Sequence, residues 1–324
     1  MLTLKECQDL IHVYLKRISL PESPSNLYEP IRYMLEPEGK RIRPALVLMG
    51  CNVFSDDVSP AVPAAMAIEV FHNFTLMHDD IMDNALMRRN RHAVHIRWTP
   101  NIALLSGDAM VIKAYELLAE IKGPSFFRVF SLFNETALKV CEGQQYDMDF
   151  ESRTDISEND YLHMVELKTA VLLAASMKAG AIIGGADDTD ADLLYEFGRN
   201  IGIAFQLQDD FLDIYANPLT FGKEMGNDIV SNKKTLLLIQ ALKLATGPAR
   251  DELLFWLSAE GFNRNEKIQR IKIIYDQLHI DELSRERVIS YHEKAMAMLN
   301  KLSCTNARIA ELKAFSDMLM NRDK

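Results

Sequence analysis

Two carboxylate clusters carry the most chemistry in this chain: Asp79-Asp80-Ile81-Met82-Asp83 and Asp209-Asp210-Phe211-Leu212-Asp213, with identical spacing 130 residues apart. On a helix, residues 79 and 83 stack on one face and Asp80 lies about 100° around, so three carboxylates share one edge. Like charges at this spacing destabilise a helix by roughly a few tenths of a kcal/mol per pair. A cation is the simplest remedy. The second cluster lies inside an apolar segment, Ile201–Ile214, where solvated carboxylates are not expected. A single cluster of this kind would most often be a solvated helix face or an extended N-cap; two of the same spacing in apolar surroundings argue against that. Hard carboxylate oxygens without Cys or His select Mg²⁺, which commonly bridges one or two carboxylates to substrate phosphates. The ligand expected from these residues is a diphosphate.

The elements that must position the clusters read as helices. No proline occurs between residues 125 and 217, which suits long uninterrupted helices. Apolar residues recur at three- and four-residue intervals, as in Ala65, Ile68 and Phe71, and again in Leu162, Val165, Val171, Leu172 and Ala175. No sustained strand alternation is present. Pieces rich in Ser, Asn, Asp and Pro at 21–26, 55–60, 152–160 and 187–192 read as loops or helix starts. Ala61–Met77 and Ala170–Ala186 are apolar on more than one face and should be surrounded by other helices. Asn263–Leu278 and Asp281–Lys301 read as amphipathic scaffold helices. The expected fold is all-α: a bundle of about ten or more helices around a central apolar cavity, with residues 1–324 forming a single domain because no linker divides them.

Composition sets limits on the rest. With 48% hydrophobic and 25% charged residues, the chain has the make-up of a folded globular protein. A formal charge of −10 repels nucleic acid, so the basic runs Lys40-Arg41-Ile42-Arg43 and Arg88-Arg89-Asn90-Arg91 point to a small anionic ligand. The four cysteines are scattered without CxxC or CxxH pairing, signalling neither zinc nor disulfides and fitting a reducing cytoplasm. The N-terminus lacks a basic-then-apolar leader, and no uncharged stretch approaches the ~18 residues of a membrane span, so neither export nor insertion is expected.

From about residue 39 to 240 the chain resembles the trans-isoprenyl diphosphate synthases, the polyprenyl synthetase family that includes farnesyl and geranylgeranyl diphosphate synthases. The resemblance rests on an ordered set: Gly39-Lys40-Arg41-Ile42-Arg43-Pro44; His72, seven residues before Asp79; Asp79, Asp80 and Asp83 followed by Arg88 and Arg89; and Lys168-Thr169. Next come Gly202-Ile203-Ala204-Phe205-Gln206 followed by Asp209, Asp210 and Asp213, then Phe221-Gly222-Lys223 through Asp228 to Lys233-Lys234-Thr235. Gly143-Gln144-Gln145-Tyr146-Asp147 also resembles a family helix segment. The resemblance implies an isoprenoid-synthase fold and a homodimer. It also implies a reaction in which an allylic diphosphate (dimethylallyl, geranyl or farnesyl) ionises and its carbocation is attacked by isopentenyl diphosphate, with loss of a proton. Asp79, Asp83 and Asp209 would bind Mg²⁺, with Asp80, Asp210 and Asp213 reaching metal directly or through water; the family resemblance implies three ions per active site with substrate bound. Arg88, Lys168 and Lys223 would balance the charge of the departing diphosphate, and Lys233 joins this catalytic set. Lys40, Arg43, His72 and Arg89 would hold isopentenyl diphosphate. The side-chain oxygens of Thr169 and Gln206 would face the carbocation. Arg41 reads as structural or solvent-facing.

In the family, bulk four, five or eight residues before the first aspartate limits product length; here those positions are Thr75, Phe74 and Phe71. At a helical rise of 1.5 Å per residue they lie roughly 6 to 12 Å below Asp79, implying a C15 or C20 product. One departure from the family pattern is the pair Leu86 and Asn90 around the arginines, where a small residue and a closing Gly are usual; Asn tolerates the left-handed backbone that Gly would supply. Rival readings are a terpene cyclase, which has no need of Lys40 and Arg43, a di-iron bundle built on Glu69-x-x-His72, and a non-catalytic partner subunit that should have lost an aspartate cluster.

Overall fold

The computed structural model describes residues 1–36, 39–216 and 225–320. Its helices are α1 (Leu4–Leu15), α2 (Ser25–Leu35), α3 (Ile42–Phe54), α4 (Val62–Met82), the short α5 (Val94–Arg97), α6 (Pro100–Leu118), α7 (Ser125–Ser152), α8 (Glu158–Val165) and α9 (Val171–Gly184). They continue with α10 (Asp188–Tyr215), the short α11 (Asn227–Val230), α12 (Leu236–Leu244), α13 (Gly247–Ser258), α14 (Arg264–Gln277), α15 (Ile280–Leu299) and α16 (Asn306–Met320). The chain is therefore all-α, as the periodicity implies with its ten or more helices. A single turn of π-helix, Glu166–Ala170, joins α8 to α9. The one sheet among the described residues is a hairpin of two-residue strands, β1 (Met87–Arg88) and β2 (Arg91–His92).

Helix starts follow local chemistry. Thr3 and Glu6 form a reciprocal capping box at α1, and Ser157 and Asp160 form another at α8. Thr99 accepts from the Ile102 N–H at 3.2 Å and is followed by Pro100, whose missing N–H costs nothing in a first turn.

The described residues divide into two compact units. One comprises Met1–Asn134, Ala175–Tyr195 and Leu302–Glu311; the other comprises Glu135–Ala174, Glu196–Lys301 and the chain from Leu312 onward. In the first, α3 is buried on every side from Pro44 to Val53, and α4 is buried along most of its length. Alpha-helix α3 meets the later part of α9 backbone to backbone: a Cβ on Gly50 would lie 2.5 Å from the Met177 carbonyl, and one on Gly180 would lie 2.0 Å from the Val47 carbonyl. In the second, Ile214, Leu238, Leu253, Ile271, Ile274 and Tyr275 form one cluster, and Phe150, Tyr161, Val165, Ile203, Leu236 and Val288 form another. The stretch Glu158–Gly184 is long and apolar enough to cross a membrane, yet 78% of its apolar window is buried within the protein, so core packing accounts for its composition.

Candidate active site

In the first unit, α4 carries the residues from Phe71 to Asp80, and Asp83 closes it as C-cap. Asp80 is buried, and its Oδ1 accepts from Arg88 Nε at 2.9 Å and Nη2 at 2.5 Å, a fork grip on one oxygen. Its Oδ2 is buried with no hydrogen-bond partner among the described residues. Asp79 is partly buried and Asp83 exposed. About two turns earlier, His72 Nε2 lies 3.2 Å from Arg43 Nη1. Burial, then the surrounding arginines 43, 89, 41 and 88, push the imidazole well below its ordinary pKa, so it is neutral and its Nε2 lone pair accepts from Arg43.

Beneath these groups lies a polar network that sequence reading did not find. Arg41, held in the left-handed region at φ 42°, is 4% exposed and makes an ion pair with Glu69, which is 1% exposed; its second nitrogen donates to the Leu35 carbonyl at 2.7 Å. Asn73 donates to the Glu69 carboxylate at 2.7 Å and accepts from Arg89 at 3.4 Å. Arg41 is thus structural and buried, not solvent-facing. Glu69 and His72 are both committed to arginines, which removes the observation behind a di-iron pair.

The aromatic residues below Asp79 are braced. Phe71, 2% exposed, packs its ring 5.1 Å from Phe133 and 5.4 Å from Phe74, and Tyr115 stands 5.4 Å from Phe133. Phe74 is only partly buried and meets His78 edge-on at 4.7 Å. Thr75, also partly buried, spends its hydroxyl on the His72 carbonyl at 2.8 Å.

In the second unit, α10 carries Gln206, Asp209, Asp210 and Asp213. Asp210 is buried and accepts from the Tyr161 hydroxyl and from Gln206 Nε2 at 2.9 Å. Gln206 Oε1 in turn accepts from Thr169 at 3.2 Å. Thr169 and Lys168 sit in the π-turn, a form that recurs at functional sites. Lys168 donates to Asp147 on α7 at 2.5 Å. That proximity requires Gly143, where a Cβ would lie 2.2 Å from the Lys168 backbone nitrogen, and Gly202, where one would lie 2.6 Å from Ala170 Cα. Asp213 accepts from the Asp228 N–H at 3.0 Å, and Asp228 lies 3.8 Å from Lys233.

The charges here are unbalanced. Burial raises the pKa of Asp210, while Lys233, Tyr161 and Gln206 oppose the rise. Burial also pushes Asp228 up to about 7, with Asp210, Asp213 and Asp147 adding and Lys233 opposing. Lys233 loses some basicity to burial but gains more from those four carboxylates, ending above the ordinary ammonium value. Such crowding is what a bound cation relieves. These oxygens are hard carboxylate donors, as are those of the first unit, where Asp80 holds one buried with no hydrogen-bond partner among the described residues, so the carboxylates of each unit fit Mg²⁺. Among the described residues no three acidic, His or Cys side chains form a metal site by themselves.

Of the residues expected from sequence, the first unit brings together Arg43, His72, Asp79, Asp80, Arg88 and Arg89 around α4, and the second brings together Lys168, Thr169, Gln206, Asp210, Asp213 and Lys233. Lys40 is exposed and its carbonyl accepts from Gln8. Lys223, with Phe221 and Gly222, lies outside the described residues. Tyr161 and Asp147 are the neighbours of the candidate residues that sequence reading did not assign. Asp147 lies inside the Gly143–Asp147 segment singled out from sequence, whereas Tyr161 looks like any core aromatic of an amphipathic helix.

The chain is also similar to known proteins. The family model described as "Polyprenyl synthetase" matches residues 24–277. A geranylgeranyl diphosphate synthase of Methanosarcina mazei is 43% identical over 222 residues, 68% of each chain. A geranylfarnesyl diphosphate synthase of Natronomonas pharaonis is 39% identical over 238 residues, covering 68% of this chain and 70% of that one. A crystal structure of a geranylgeranyl pyrophosphate synthase superposes with a TM-score of 0.95 at 40% identity, covering 100% of both chains.

Proposed function

The chain belongs to the polyprenyl synthetase family, and we propose on that premise that this trans-prenyltransferase makes geranylgeranyl diphosphate, the C20 member of the C15 to C20 range its sequence implies. It joins isopentenyl diphosphate head to tail to dimethylallyl, geranyl or farnesyl diphosphate. The observation that carries the site assignment is the repeated arrangement of the two aspartate clusters: in each, the middle carboxylate is fixed by protein donors, Asp80 by Arg88 and Asp210 by Tyr161 and Gln206. That repetition supports Asp79, Asp83 and Asp209 as the residues that hold Mg²⁺, three ions per active site, with Asp80, Asp210 and Asp213 orienting them or reaching them through water. Bound Mg²⁺ would neutralise the allylic diphosphate as it leaves.

The chain's own residues do the rest by electrostatics and placement. Arg88, Lys168, Lys223 and Lys233 oppose the negative charge of the leaving diphosphate, Arg88 and Lys168 from positions already fixed by Asp80 and Asp147. Thr169 and Gln206 present neutral oxygens to the allylic carbocation and so stabilise it without forming a bond to it. Lys40, Arg43 and Arg89 bind the diphosphate of the isopentenyl substrate, with neutral His72 holding the Arg43 fork in place. Phe74 forms the pocket floor, with Phe71 behind it locked by Phe133. We place the enzyme in the cytoplasm as a homodimer, each chain acting as one catalytic domain.

The test is chromatography of the dephosphorylated products made from isopentenyl diphosphate and each allylic primer. A geranylgeraniol peak from all three primers is expected. Farnesol or geranylfarnesol as the main product would overturn the assigned length.

A further inference from the structure

We propose that Tyr33 is a positioning residue for isopentenyl diphosphate binding, acting through the hairpin that carries Arg88 and Arg89. This rests on the site assignment above and adds a residue that touches neither substrate.

The β1–β2 hairpin pairs Met87 with His92 and Arg88 with Arg91, which leaves Arg89 and Asn90 as a two-residue loop. Both have left-handed backbones, at φ 51° and 60°, the form a tight two-residue hairpin loop demands. Asn90 adopts it readily. Arg89, with a long side chain, does not, and such a residue stays there only when its surroundings over-determine it. The strands cannot supply that by themselves, being two residues long.

Tyr33 on α2 supplies it. Its hydroxyl donates to the His92 carbonyl at 2.9 Å. Its ring lies 3.8 Å from the Arg91 guanidinium carbon, 4.4 Å from that of Arg97 and 5.2 Å from the Trp98 ring, edge-on at 72°. Arg97 also lies over Trp98 at 4.8 Å, and Arg91 donates both terminal nitrogens to Glu36, three residues after Tyr33, at 3.2 Å. One tyrosine therefore grips β2 and the C-terminal end of α5. Because β2 pairs with β1, gripping Arg91 and His92 fixes Met87 and Arg88 opposite and holds the turn between them. The Arg89 guanidinium then reaches Asn73 at 3.4 Å and lies against Gly39, where an added Cβ would stand 3.4 Å from it. Arg88 is tied independently to Asp80 through two nitrogens, so Arg89 depends more on the clamp.

Steady-state kinetics of Tyr33→Ala test this. Loss of the ring frees Arg89 to relax to an ordinary backbone, so KM for isopentenyl diphosphate should rise by about tenfold, the scale of one lost cation–π grip, with kcat at saturation and KM for geranyl diphosphate changing about threefold or less. Tyr33→Phe keeps the ring and should recover most of that KM. In an Arg89→Gln background, Tyr33→Ala should raise KM no further, because the residue it positions is gone. Unchanged KM, a fall in kcat with KM intact, or full additivity with Arg89→Gln would overturn the proposal by reducing Tyr33 to a packing residue. Should Tyr33→Ala fail to fold by circular dichroism, Arg91→Gln answers in its place: KM for isopentenyl diphosphate must rise, and an unchanged value overturns the clamp. Absence of condensation by the wild type would instead overturn the underlying site assignment, and this inference with it.

Discussion

Gly143 is the position where a single methyl group should do most damage. Its added Cβ would meet the Lys168 nitrogen at 2.2 Å and the Leu167 carbonyl carbon and Lys168 Cα at 2.6 Å, all of them backbone atoms. Ordinary contact begins near 3.4 Å, so Gly143→Ala must push α7 and the π-turn apart by about 1 Å. The turn carries Lys168 and Thr169, whose bonds to Asp147 and Gln206 span 2.5 and 3.2 Å and have little slack. A misplacement of this size costs on the order of 10²-fold in rate, or about 2.7 kcal/mol of transition-state stabilisation. Overpacking adds about 1–3 kcal/mol of lost stability. Turnover of geranyl and isopentenyl diphosphates, measured beside a thermal melt, separates the two effects: kcat/KM should fall roughly a hundredfold in protein that still unfolds cooperatively. A folded Gly143→Ala protein with wild-type kcat/KM would refute the claim that the π-turn's placement matters to catalysis.

Phe74→Ala should lengthen the main product by at least one isoprene unit, and Phe71→Ala should do so less, because Phe133 remains behind it; chromatography that shows unchanged length in both would remove the aromatic floor. Glu69→Ala breaks the buried Arg41–Glu69 ion pair, for which about 3–5 kcal/mol of destabilisation is expected in chemical denaturation; a loss under about 1 kcal/mol would contradict the weight given to that pair. Burial pushes Cys7 up to about 12 and Cys51 up to about 11, so both thiols remain protonated at pH 8 and below and gain reactivity only as pH rises toward those values. Mass spectrometry after mild alkylation at pH 8 should find exposed Cys141 modified first, with Cys7 and Cys51 modified only on unfolding.

Much of the site was legible because it is written in local spacing. The two aspartate clusters, the Lys168-Thr169 pair and the arginines after Asp83 declare themselves as short patterns, and α4 follows from its apolar periodicity. Tyr161 was not legible: it meets Asp210 across 49 residues of sequence, and nothing in an amphipathic helix distinguishes a phenol that donates to a carboxylate from one that only fills space. Arg41 illustrates the same limit, since its neighbours in sequence are cations and its partner, Glu69, is 28 residues away. The hairpin escaped because two-residue strands have no alternation to detect, although Asn90 offered the one hint of a left-handed turn. The π-turn has no composition signal at all; its close approach to Gly143 is visible only in three dimensions.

The most direct test of the central claim is condensation of isopentenyl diphosphate with dimethylallyl, geranyl or farnesyl diphosphate, with Mg²⁺ and after chelation, in the wild type and in Asp79→Asn and Asp209→Asn. Condensation that requires Mg²⁺ and falls by about 10² or more in each variant is predicted, the scale of losing an electrostatic contact to the leaving group. Equal rates after chelation, or no product from any primer, would contradict it.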